Sequence, residues 1–187
     1  MLNQISSLTN LPHEKVVDFL SIGQEKQIAK KTKLTKPNLY VDKAYFLKNG
    51  IVRHFIKKGD QEFTKSFLKG PKFILPSLTN FFLETKSYIY CEAMSELEVI
   101  EWTRDELYEF ADNNPKMYKF LLKSVVKAFE GKEQKEIALN QLEAKDRYLN
   151  FLNDFPNLIN EIPNQYVATY LGVRPETLSR IRSKLNS

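Results

Sequence analysis

The stretch that most constrains how this chain folds is Ile162 to Leu185, near the carboxy terminus. Pro163 and Pro175 each stand where a first helical turn tolerates a missing N–H, and Gly172 falls where a tight inter-helix turn needs an unhindered backbone. The spacing predicts two short helices. Val167 and Leu171 of the first, Val173 of the turn, and Leu178, Ile181 and Leu185 of the second form one apolar surface, while Ala168 is small enough to let the helices approach closely. Glu176, Thr177, Ser179, Arg180, Arg182 and Ser183 are left mostly off that surface. Such side chains suit base edges and phosphates: Arg forks onto guanine, Glu accepts from the cytosine amine, and Thr or Ser holds a phosphate. The expected unit is a helix-turn-helix with its recognition helix at 175–186, and the expected contacts are Arg174, Glu176, Thr177, Ser179, Arg180, Arg182 and Ser183.

Upstream the texture changes twice. The first thirty residues read as helix, with Pro12 near a helix start and Leu8, Leu11, Val16, Val17, Leu20 and Ile22 as candidate buried positions. From about Lys33 to Trp102, short runs rich in Tyr, Phe, Ile and Val are separated by Lys48-Asn49-Gly50, Lys58-Gly59-Asp60 and Lys69-Gly70-Pro71. Those separators form turns because Gly and Asn tolerate positive φ, so consecutive hairpins in a sandwich or roll are expected. Helical patterning returns at Arg104–Ala111 and then in a long segment with Asn114 as cap and Pro115 at its first position. Met117, Phe120, Leu121, Leu122, Val125, Val126 and Phe129 make that segment's apolar face too broad for a solvated linker. Gly131 and the run Lys132-Glu133-Gln134-Lys135-Glu136 interrupt the face before Ile137, Leu139 and Leu142 resume it. A further helix, about Ala144 to Phe155, carries Tyr148, Leu149, Phe151 and Leu152 and stops at Pro156.

Composition narrows the function classes. With 42% hydrophobic and 27% charged residues the chain is expected to fold as a globular protein, and no apolar run approaches a membrane span or signal peptide. A cytoplasmic location is expected. The single cysteine, Cys91, excludes an internal disulfide and any multi-thiolate metal site, and His13 and His54 are too few for a metal centre. No Gly-rich phosphate loop, nucleophile elbow or His–carboxylate arrangement points to an enzyme, and Glu133, Glu136 and Glu143 read as a solvated face. The net charge of +5 suits an anionic partner.

Pro175-Glu176-Thr177-Leu178-Ser179-Arg180-Ile181 resembles the R-E-T-x-x-R-x core of the recognition helix in the Crp/Fnr family of transcription regulators. Tyr45-Phe46-Leu47-Lys48-Asn49-Gly50-Ile51-Val52-Arg53 is similar to that family's Y-x-x-x-x-G-x-V hairpin in the cyclic-nucleotide-binding β-roll, and Glu98-Val99-Ile100 to the strand after its phosphate cassette. The resemblance implies base contacts by Glu176 and Arg180 and a phosphate contact by Thr177. Pro175 stands where the family has its first Arg, so that contact is absent or moves to Arg174 or Arg182. The wing hairpin customary after the recognition helix is expected to be missing, and 156–162 is short for the hairpin that often precedes the motif.

The cassette departs further. Nucleotide-binding members have a Gly-Glu-Leu turn and an Arg-Ser pair, the Glu holding the ribose and the Arg the cyclic phosphate. Here the matching stretches are Phe73-Ile74-Leu75-Pro76-Ser77-Leu78 and Lys86-Ser87-Tyr88. The carboxylate is gone and Pro76 removes a backbone donor, so a response to cyclic AMP is not expected. Pro76, Ser77, Lys86, Ser87 and Tyr88 remain the candidate effector pocket, for an unknown small molecule or none. One cysteine and two histidines also argue against the family's iron–sulfur and haem sensors.

The resemblance therefore implies an α+β chain. An N-terminal double-stranded β-helix or jelly-roll sensor domain at 1–113 would be followed by a long dimerisation helix at 114–142. A C-terminal all-α helix-turn-helix domain at 143–187, lacking a full wing, would complete it. Double-stranded DNA with a palindromic operator and a second copy of the chain are the implied partners, RNA polymerase a further candidate, and no membrane, metal or cofactor is expected. The alternative is a ligand-binding β-roll signalling module without DNA-binding activity.

Overall fold

The computed structural model describes residues 1–185. Two short helices open the chain, α1 (Leu2–Thr9) and α2 (His13–Ser21). Eight strands follow: β1 (Gln24–Ile28), β2 (Lys33–Thr35), β3 (Lys43–Asn49), β4 (Ile51–Lys58), β5 (Gln61–Lys69), β6 (Lys72–Ile74), β7 (Tyr90–Ala93) and β8 (Leu97–Thr103), with α3 (Leu78–Phe82) between β6 and β7. The carboxy-terminal part is helical: α4 (Arg104–Asp112), α5 (Pro115–Gln141), α6 (Ala144–Asp154), α7 (Leu158–Glu161), α8 (Asn164–Leu171) and α9 (Pro175–Leu185). The architecture is the expected α+β jelly roll, long helix and helix-turn-helix.

The strands form two four-stranded sheets, ordered β1-β8-β3-β6 and β2-β7-β4-β5. Tyr45 and Leu47 of β3 and Leu97 and Val99 of β8 pack with Val52 of β4 and Cys91 and Ala93 of β7 in one buried cluster, the interior of the roll. Side chains alternate along a strand, so the intervening Ala44, Phe46, Ile100 and Trp102 face the other way and pack with Ile5, Val16, Phe19, Phe110, Met117 and Phe120. Trp102 stacks on Phe19 at 4.3 Å and donates its indole N–H to Phe19 O at 2.9 Å. Gly23 is required beside this pair, because a Cβ there would lie 2.6 Å from Trp102 Nε1.

The amino terminus departs from the uniform helix expected. Gln24–Ile28 pairs antiparallel with Leu97–Glu101 as β1. Its Gln-, Glu- and Lys-rich residues favour helix, but the backbone ladder and the 2.7 Å Lys26–Glu101 ion pair override that weak local preference. Leu11 and Val16 are buried as expected and Leu20 is half-buried, whereas Leu8, Val17 and Ile22 are exposed and their places are taken by Ile5 and Phe19. The expected cap at Asn114 also changes role: its amide turns back and donates to Phe110 O at the end of α4.

By their contacts the described residues form two compact units. One comprises Met1–His54 and Phe67–Lys127; the other comprises Phe55–Ser66 with the chain from Ala128. Strands β4 and β5 and helix α5 therefore each run through the division. Along α5, Met117, Phe120 and Leu121 are buried while Leu122, Val126 and Phe129 are exposed.

Candidate nucleic-acid interface

Helices α8 and α9 are set by their turn. Gly172 takes the left-handed conformation, φ 68° and ψ 33°, and the Val173 N–H donates to Ala168 O at 3.0 Å, closing the end of α8. Val167, Ala168, Leu171 and Leu178 are buried, which fixes α9 against α8; Val173 and Ile181 are half-buried and Leu185 lies at the more exposed end. Helix α6 supports the pair from behind. Phe151 and Phe155 pack on Tyr170 at 5.6 and 6.2 Å, and Arg147 donates to Leu171 O at 2.9 Å and to Leu142 O. The segment 156–162 forms the short α7, whose Leu158 is buried.

At about 100° per residue, Glu176, Ser179, Arg180 and Ser183 fall within one arc of α9 about 100° wide, opposite the stripe of Leu178, Ile181 and Leu185. All four are exposed. Thr177 and Arg182 flank that arc on its two sides, and Arg174 is exposed just before the helix. The seven residues expected from sequence are thus brought to one helix and its lead-in, but not to equivalent positions. Arg182 Nη1 donates to Asn164 Oδ1 at 2.7 Å, so its guanidinium is held at the start of α8. Glu176 lies in the first turn of α9 and Arg182 and Lys184 in its last, the charge order that complements the helix dipole. Asn186, the final residue of the expected recognition helix, lies outside the described residues.

The expected effector residues sit around α3. Pro76, Ser77 and Ser87 are buried and Lys86 and Tyr88 exposed. Their polar groups serve one another: the Ser77 hydroxyl donates to Asn80 Oδ1 at 2.7 Å, Asn80 Nδ2 to Thr85 Oγ1 and Lys86 O at 2.9 Å each, and the Ser87 hydroxyl to Ile89 O at 2.9 Å. Lys86 extends over the Tyr40 ring at 5.6 Å. Arg104 sits over Phe81 at 5.2 Å, pairs with Glu84 at 3.4 Å and donates to Val41 O, tying α3 to the start of β3. The hydroxyls of Ser77 and Ser87 and the Asn80 amide are thus engaged within the stretch itself.

Two polar clusters were not legible in the sequence. Arg53, fully buried on β4, meets Glu92 of β7 at 3.2 Å, and Glu92 also meets Lys33 of β2 at 2.5 Å, linking three strands of one sheet. Lys135, within the charged run at 132–136, donates to Thr64 O and Lys65 O at 3.1 and 2.7 Å and lies 3.9 Å from the Tyr170 ring centroid. Neither has a local signature, because the partners are 39 and 59 residues away for Glu92, and 70 and 71 for Lys135.

No family model and no curated protein sequence matches the chain. Solved structures do. FixK2 from Bradyrhizobium japonicum superimposes with a TM-score of 0.78 at 18% identity, covering 88% of this chain and 85% of its own. CLP of Xanthomonas campestris, described as a c-di-GMP-responsive global regulator, gives 0.74 at 17% identity, covering 94% and 92%. A protein from Eubacterium rectale described as a regulator of the crp/fnr family gives 0.72 at 14%, covering 95% and 84%. The superpositions establish likeness of fold: the chain has the Crp/Fnr regulator fold, a cyclic-nucleotide-binding-like roll followed by a long helix and a helix-turn-helix.

Proposed function

We propose that this protein is a dimeric, sequence-specific DNA-binding transcription regulator of the Crp/Fnr type, working in the bacterial cytoplasm and catalysing no reaction. The observation that carries the reading is the exposed arc of Glu176, Ser179, Arg180 and Ser183 on a helix buried along its opposite stripe. A helix so mounted presents donors and acceptors to the floor of a major groove while its flanks meet the phosphates. Arg180 then forks onto a guanine, Glu176 accepts from a cytosine amine, and Ser179 and Ser183 line the same groove. Thr177 and Arg182, on the flanks, and Arg174, before the helix, contact the backbone. The Arg182–Asn164 hydrogen bond supports this assignment, since it draws Arg182 toward the start of α8.

In this reading 1–113 is the sensor, 114–142 the dimerisation helix and 143–187 the DNA-binding domain. Tyr118, Leu122, Val125 and Phe129 recur at spacings of four, three and four along α5, a heptad seam for a second copy. Two copies place two recognition helices on a palindromic operator, with RNA polymerase a further partner. Cyclic AMP is not the effector, because the cassette carries Pro76 and Ser77 where a ribose-binding carboxylate is required, and the Ser77 hydroxyl is engaged with Asn80. An effector, if one acts, is an unknown small molecule.

The test is a salt-dependent titration of genomic fragments, including the promoter of the protein's own operon, with the wild type and Arg180→Ala. Direct readout predicts selective binding by the wild type and a loss of roughly 1–3 kcal/mol in the variant, with discrimination relaxed at one symmetric base pair. Equal affinity of wild type and variant for every fragment at every salt concentration would favour a signalling module that does not read DNA.

A further inference from the structure

The distal part of the β4–β5 hairpin, Phe55–Ser66, belongs by its contacts to the unit that contains α8 and α9. Thr64 is one point of attachment. The Thr64 N–H donates to Thr169 Oγ1 at 3.3 Å, and the two threonine hydroxyls are 2.9 Å apart. Lys135, from α5, donates to Thr64 O and Lys65 O and lies against the face of Tyr170. Thr169 and Tyr170 are consecutive on α8, the helix that supports the recognition helix. A lysine ammonium has three N–H donors, and here two carbonyls and an aromatic face receive it. Its partners are uncharged, so the contact is held by geometry rather than by a counter-ion, and burial together with the neighbouring Lys65 lowers its pKa to about 8.

We propose that Lys135 is a positioning residue that latches the β4–β5 hairpin tip to α8, so that displacement of strands β4 and β5 is converted into a change in DNA affinity. The strands supply the connection covalently: β4 begins at Ile51 and β5 ends at Lys69, both in the β-rich unit, while the tip between them is fastened beside the helix-turn-helix. A signal in the roll therefore needs no new contact to reach α8. It needs only to move one of two strands whose far end is already held. This inference rests on the DNA-binding reading, and its test separates the two.

The full-length chain is compared with Lys135→Met, Lys135→Arg and Thr169→Val, and with Lys132→Met as a control that removes one exposed charge from the same helix. Amide hydrogen exchange at Thr64 to Ser66 reports the latch, and affinity for a selected duplex reports its consequence. The expected result is exchange at Thr64 raised roughly tenfold in Lys135→Met and Thr169→Val. DNA affinity should change several-fold more in Lys135→Met than in Lys132→Met, and Lys135→Arg should restore part of both. Unchanged exchange in the two latch variants would overturn the proposal, as would raised exchange with affinity identical to the Lys132→Met control. If the wild type selects no DNA, the affinity consequence falls together with the DNA-binding reading, and the exchange result alone decides whether the tip is fastened.

Discussion

Arg180 and Arg182 are two residues apart on α9 and have the same chemistry, but the proposed reading gives them different work. Arg180 lies in the arc opposite the buried stripe, whereas Arg182 lies beside it with its guanidinium on Asn164. An arginine that grips backbone contributes through released counterions and carries no sequence information. Arg182→Ala should therefore weaken binding to all duplexes alike and reduce the salt slope by about one, without relaxing any base pair. Position-specific relaxation in that variant would contradict the assignment. Lys135 makes a second prediction at this scale. Its ordinary value is 10.5 and its folded value about 8, so between those pH values the unfolded chain keeps a proton that the folded chain has released. The contribution of Lys135 to stability then rises with pH across that window. Urea denaturation of the wild type and Lys135→Met at pH 7.5 and 10 should show the wild type gaining relative to the variant at the higher pH. Tyr170, whose own hydroxyl is pushed up mainly by burial, and Lys65 are the titratable groups beside it.

The turn between α8 and α9 depends on one backbone angle. Gly172 has φ 68°, and a Cβ there would come 3.0 Å from Leu139 Cδ2. Gly172→Ala should destabilise the chain by about 1 kcal/mol, read as a shift in the denaturation midpoint at unchanged slope. Helix α5 is the other element that carries a claim. Leu122 is 64% and Phe129 57% exposed, and they lie seven residues apart in the proposed seam. Charges at both positions, Leu122→Glu with Phe129→Glu, should yield a monomer by sedimentation velocity, whereas a species sedimenting like the wild type would exclude this seam. Turn residues and helix periodicity made these elements readable in the sequence: Gly50 and Gly59 do take positive φ in the hairpins, and Gly172 in the inter-helix turn. The strand at Gln24–Ile28 was not readable, because its composition favours helix and only pairing with β8 makes it a strand.

At the scale of the molecule, the order of roll, long helix and helix-turn-helix was legible because each part has its own period and its own punctuation. The residues on α9 were legible for the same reason, since a helix fixes which side chains share a face. What sequence could not give was the long-range polar pairing. The Arg53–Glu92–Lys33 cluster and the Lys135 latch join residues far apart in the chain, and a lysine in a charged run looks the same whether it ends in water or over an aromatic ring. The polar pairing around α3 is local instead, between residues two to six apart. It holds the segment together through Ser77, Asn80, Thr85 and Ser87, while Lys86 and Tyr88 are exposed.

If α9 reads DNA as one of a symmetric pair, selection from a pool of random duplexes will reveal it. The expected product is an imperfect palindrome whose half-sites lie about one helical turn apart, roughly 34–36 Å, with Arg180→Ala losing preference at one base pair in each half. A pool that stays random after repeated selection with the wild type, or enrichment that Arg180→Ala leaves unchanged, would contradict that reading.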